Sequence, residues 1–161
     1  MRRLGPIEKF WLDAVGEPGS RIFYAIVVSG SDVHWFVAEK EQVATLAQRS
    51  LELLEEAGLE LDDDAIAHIL GSTTVGHPGE AEFRIGTMAL AIDQEAEIAR
   101  IVLEPVDDGE PFTFDLLPEQ LAAAARHGLE VVSAGRPICP RCRLPEDPLG
   151  HDCPAVNGHR L

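Results

Sequence analysis

Positive charge is in short supply in this chain. Its 161 residues carry 13 Lys and Arg against 28 Asp and Glu, a formal net charge of −15. Such a surface repels phosphate backbones and argues against bulk nucleic-acid binding. Long apolar runs are missing too. The longest, Phe23 to Val28, is far too short to span a membrane. The opening Met1-Arg2-Arg3-Leu4-Gly5-Pro6 leads into a strand-like stretch holding Glu8 and Lys9, not into the apolar core of a signal peptide. Cysteine is absent before Cys139, so there is no disulfide framework, and a reducing, cytoplasmic setting is expected. Recognisable ligand loops are lacking as well. Gly71 to Gly79 has no Lys after a glycine and no following helix signal, so it is not a phosphate-binding loop. Asp62-Asp63-Asp64 lacks the alternating spacing and the bidentate Glu of a calcium loop. No Ser-His-Asp arrangement declares itself by spacing, because triads are set by geometry.

What is present is concentrated in the tail. All three cysteines (Cys139, Cys142 and Cys153) and two of the six histidines (His151 and His159) lie between 139 and 159. Two cysteines two residues apart, among prolines and small residues, form a turn that faces both sulfurs to one ion. Cys153 returns a third sulfur. The fourth ligand of a closed tetrahedral Zn2+ site is then His151 or His159. His151 gives C-x2-C-x8-H-x-C, a compact hairpin in which His151 and Cys153 share a side of an extended strand. His159 gives C-x2-C-x10-C-x5-H but stands near the C-terminus, where fraying is expected. A redox CxxC fits poorly, since it belongs at the start of a helix within a βαβ unit. The tail from Arg136 onward also holds four arginines (Arg136, Arg141, Arg143, Arg160) against three acids (Glu146, Asp147, Asp152), so it is +1 where the rest is −16. A local anionic contact through Arg136, Arg141 and Arg143 therefore stays open as one reading.

The remainder is ordinary globular material, 45% hydrophobic and 25% charged, able to bury a core. Ile7 to Val15, Arg21 to Val28 and Val33 to Ala38 read as strands of an antiparallel meander with short turns. Glu41 to Ala57 has helical apolar spacing and ends at Gly58. Phe83 to Ile92, Ile98 to Val106 and Phe112 to Leu116 are strands again, and Pro118 starts a helix running to about Ser133. A displacement of 78 positions places Phe36 on Phe114, Glu41-Gln42 on Glu119-Gln120, Ala44 on Ala122, Ala47 on Ala125 and Leu51-Glu52 on Leu129-Glu130. The expected fold is α+β: an antiparallel sheet from two duplicated βββα units, helices on one face. Residues 1–134 form this domain, with halves of about 1–58 and 80–134 and an acidic linker over 59–79. The zinc-knuckle tail occupies 135–161. Within the linker, Leu61 to Leu70 looks like a short helix capped by an Asp.

The chain resembles the uncharacterised actinobacterial family catalogued as domain of unknown function 3090. The resemblance rests on Val15-Gly16-Glu17-Pro18-Gly19 with Arg21, Phe23 and Tyr24; on Glu39-Lys40 with Gln42-Val43; and on Glu82 to Leu90. It continues through Ala134-Gly135-Arg136-Pro137, Cys139-Pro140 and Cys142, then Asp147-Pro148, Gly150-His151, Cys153-Pro154 and Asn157-Gly158. It thus spans almost the whole chain. The family's second knuckle is similar to G-H-x-C-P, which implies Cys139, Cys142, His151 and Cys153 as the metal ligands in preference to His159. Arg143 and Ala155 depart from the family pattern. The resemblance implies a compartment, a size and a metal site, and carries no activity.

Outside the tail the polar residues read as structural. Glu82 and Arg84 share a strand face and are expected to be its wet side or an ion pair. His34 is expected at the surface with Trp35 packed behind it, His68 in the core, and His127 on a helix surface, while Glu8 and Asp13 face solvent. Gly86 suggests a bulge or a close backbone approach. The function expected is non-catalytic: a cytoplasmic protein whose metal tail presents a recognition surface to another protein. The competing reading is a hydrolase or small anionic ligand-binding protein with a cleft near Arg21, Arg84 and the 71–79 loop. Homo-oligomers through exposed sheet edges are compatible with either reading.

Overall fold

The structure is a computed structural model that describes residues 2–17, 19–72 and 78–134. Seven strands and three helices follow in the order β1 (Arg2–Pro6), β2 (Lys9–Val15), β3 (Ile22–Ser29), β4 (Asp32–Ala38), α1 (Lys40–Ala57), α2 (Asp63–Leu70), β5 (Ala81–Asp93), β6 (Ile98–Pro105), β7 (Phe112–Leu116) and α3 (Pro118–Ala134). The class is α+β. The sheet is mixed, in the order β1-β7-β6-β5-β4-β3-β2. β2-β3-β4 and β5-β6-β7 are antiparallel meanders, as their short turns dictate. The expectation of a purely antiparallel sheet is corrected at two places: β4 runs parallel to β5, and β1 parallel to β7. The long connection through α1 and α2 lets the chain cross back and lay β5 beside β4 in the same direction.

β1 and β2 stand at the two ends of the strand order yet are consecutive in the chain. Across the two residues between them, the Ile7 N–H donates to Asp115 O of β7 at 3.2 Å and the Glu8 N–H to Val28 O of β3 at 2.9 Å. The hydrogen-bonded circuit therefore closes through this short run. β5 does the same work on the opposite side as one long strand, its first part paired to β4 and its remainder to β6. The register shifts between Ile85 and Thr87, a bulge at Gly86 where a Cβ would meet Pro105 O at 3.0 Å and Val106 Cα at 3.1 Å.

Two glutamines 78 positions apart tie these runs to the helices. Gln42 of α1 accepts from the Glu39 N–H at 2.8 Å, while its Nε2 donates to Ile85 O and Gly86 O at 3.0 and 3.3 Å. Gln120 of α3 accepts from the Leu117 N–H at 2.8 Å and donates to Ile7 O and Glu8 O at 3.2 and 3.0 Å. Each helix start is thus clamped to the irregular backbone of the other half. The core between is aromatic. Phe36 packs on Phe83 and Phe112, and Phe10 on Phe114, with centroids 4.9 to 5.2 Å apart. α2 is the short helix of the linker, and the Asp62 side chain accepts from the N–H groups of Asp64 and Ala65.

Candidate functional site

The two halves pack their helices differently, and this difference makes an open groove between a helix and a strand. In one half α3 presses onto β2. Ala123 and Ala124 are fully buried, and a Cβ on Gly128 would lie 3.0 Å from Leu12 Cβ. Phe10 and Leu12 beneath are 2% and 1% exposed. At the helix flank, His127 Nε2–H donates to Asp13 Oδ2 at 2.8 Å, and Trp11 meets the imidazole edge-on at 5.5 Å. The Asp13 hydrogen bond foremost, with Asp13 and Glu130 as nearby negative charges, raises the His127 pKa against the opposing effect of burial.

In the other half α1 stands off β5. The residues 78 positions earlier are larger: Thr45 in place of Ala123, Leu46 in place of Ala124 and Ser50 in place of Gly128. The tie is also lost. β5 has Ala91 where β2 has Asp13, and α1 has Arg49 where α3 has His127, its guanidinium turned to Glu52. An open groove of about 500 Å3 results. Leu46 and Leu53 form one wall, the half-buried Met88 and Leu90 the floor, and Glu41, Thr45, Arg49 and Thr87 the rim. Thr45 is exposed, whereas its counterpart Ala123 is sealed. Sequence reasoning passed over this site. The signal was there in the same displacement that aligned the helices, read for differences instead of identities.

The sequence-nominated residues fall as follows. Cys139, Cys142, His151, Cys153 and His159, together with Arg136, Arg141 and Arg143, lie outside the described residues, as does the middle of the 71–79 loop. Arg21 lies just before β3 and Arg84 within β5, and each is engaged: Arg84 Nη1 donates to Glu39 Oε1 at 2.9 Å, and Arg21 lies over the Phe23 ring at 4.9 Å. Glu82 and Arg84 do not pair with each other. Glu82 accepts from His34 Nδ1–H at 2.8 Å and from Arg2 Nη1 at 3.1 Å, bonds that, with His34 foremost, hold its carboxyl below the ordinary range. His34 is therefore not a surface residue; it is 8% exposed and packs its ring on Phe112. Asp13 and His127 are likewise corrected. Asp13 is 7% exposed and His127 half-buried, because each hides the other's polar edge. His68 is exposed, not in the core. A second open depression of about 600 Å3 lies at the β5–β6 turn, where Arg100 forks onto Asp115 at 2.7 and 3.1 Å. That pairing, above all, holds the Asp115 carboxyl below its usual range. Among the described residues no helix is long and apolar enough to cross a membrane, and no cluster of three metal-binding side chains occurs.

A family described as a protein of unknown function, DUF3090, matches residues 3–153. The chain belongs to this family. The match takes in the sheet from Arg3 onward, all three helices and most of the cysteine-bearing segment, so one family model spans both. No curated protein and no solved structure matches the chain.

Proposed function

We propose that this DUF3090 protein is a non-catalytic cytoplasmic interaction module, in which a duplicated βββα body carries a structural Zn2+ tail that recognises another protein. The observation that carries the reading is the donor set of the tail: Cys139, Cys142, His151 and Cys153 supply three thiolates and an imidazole, a complete tetrahedral shell with no position left for a reacting water. The body supports it by the use it makes of its polar side chains. His127 with Asp13, His34 with Glu82, and Arg100 with Asp115 are each spent on holding elements together.

The test is elemental analysis of protein purified without added metal, beside Cys142→Ser. One zinc per chain in the native protein and none in the variant, with the same far-UV spectrum and the same urea midpoint for the body, is the expected result. A native protein without zinc overturns the reading. So does a variant whose body unfolds with the metal, since the tail would then be part of the core.

A further inference from the structure

The groove between α1 and β5 has walls, a floor and a polar rim, and these define what fits it. We propose that it docks a short segment of a partner protein, with apolar side chains seated on Met88 and Leu90 and basic residues near Glu41 and Glu104. The inference deepens the interaction-module reading by giving the body, and not only the tail, a recognition surface.

Shape selects the class of occupant. The α1 wall from Glu41 to Leu53 runs for three turns of helix, about 18 Å at 1.5 Å per residue. An extended chain of about five residues covers that length. Along the floor β5 pairs with β6 alone, since its pairing with β4 stops at Arg84, so an extended occupant can lie along that other edge as well as bind through side chains. The floor suits an apolar anchor: Met88 is flexible and polarisable and moulds to varied partners. In the matching place of the other half, Phe10 and Leu12 are sealed under a helix; here the equivalent Met88 and Leu90 remain half open.

Charge selects the sign. Glu41 lines one end of the groove, and Thr87 on the rim donates its Oγ1–H to Glu104 Oε2 at 3.0 Å, which puts a second carboxylate beside the rim though not in the lining. Arg49, the cation on the rim, is neutralised by Glu52. The whole chain carries −15, which strengthens attraction for a basic segment and repels a second copy of the same acidic surface.

The experiment is selection of random twelve-residue peptides displayed on phage against four forms of the full chain: native, Thr45→Trp, Leu90→Lys and Cys142→Ser. Thr45 is exposed, so the indole fills the groove without loading the core; Leu90→Lys puts a charge on the floor. Urea unfolding of each form verifies folding. The expected result is enrichment, on native and Cys142→Ser chains alike, of sequences pairing apolar residues with Lys or Arg. Synthetic versions should bind Thr45→Trp and Leu90→Lys about tenfold or more weakly, and bind native protein less tightly as salt rises. Peptides that bind Thr45→Trp as well as native but lose Cys142→Ser overturn the groove and leave the tail as the recognition surface. Acidic or uncharged enriched sequences overturn the charge assignment and with it the proposal. No enrichment on any form overturns both surfaces as peptide sites. A native chain that sediments as a dimer which Thr45→Trp dissociates assigns the groove to self-association instead.

Discussion

Gly86 is where a single hydrogen atom makes room for two strands. Its missing Cβ is the space occupied by Pro105 O and Val106 Cα, both backbone and unable to swing aside. Gly86→Ala should lower the urea-unfolding free energy by about 1–3 kcal/mol, while Gly5→Ala, which meets nothing within 4 Å, should leave it unchanged. Asp13 and His127 make a second residue-scale prediction. The His127 pKa is raised in the folded state, so its contribution is fully present below about 6.5, the ordinary His value, and is lost as pH rises through the raised value. The urea midpoint should therefore fall between the ordinary and the raised pKa, and Asp13→Asn should flatten that fall. A midpoint equally steep in the variant would place the titration elsewhere. The sequence disclosed the residue types of these pairs but not their burial. His34 meets Glu82 across 48 positions, and His127 meets Asp13 across 114, and only the fold brings them together. Gly86 was legible because a glycine inside a strand pattern has few other uses.

At the scale of elements, periodicity carried most of the fold. β7 and the start of α3 at Pro118 stand where alternation and the proline placed them. β1 was not legible: Arg2–Pro6 has two arginines, a glycine and a proline, a composition that argues against a strand, and it is ordered by pairing with β7. The parallel pairings were hidden for a different reason, since strand direction depends on the path of the intervening helices and not on local pattern. Gln42 and Gln120 do at this scale what no strand contact does, joining a helix start to a distant bulge. Gln42→Ala should remove two donated bonds and the cap on Glu39, and Gln120→Ala the equivalent set, each destabilising by about 1–3 kcal/mol. Near-equal losses in the two variants, measured by chemical denaturation, are the expected outcome; a large loss in one and none in the other would show that only one clamp matters.

For the whole molecule, metal and body are expected to separate. Zinc modules of this size typically gain on the order of 10–16 kcal/mol from their ion, so on the proposed reading a chelator should remove the zinc and any transition of the tail with it while the body's unfolding transition stays where it was. A shift of both transitions together would join them into one cooperative unit. The reciprocal glutamine clamps have a further consequence. Gln42 of the first half holds Ile85 and Gly86 of the second, and Gln120 of the second holds Ile7 and Glu8 of the first. Both parallel pairings, β4 with β5 and β1 with β7, also cross between halves. Neither half keeps its own irregular backbone satisfied. Cleaving the chain after Ser72 should therefore yield two pieces that are each unfolded alone and recombine one to one. An intact chain that unfolds as a monomer should melt at a temperature independent of its concentration, as a unimolecular process must. The cut chain should melt higher as concentration rises, for its two pieces must then find each other in solution.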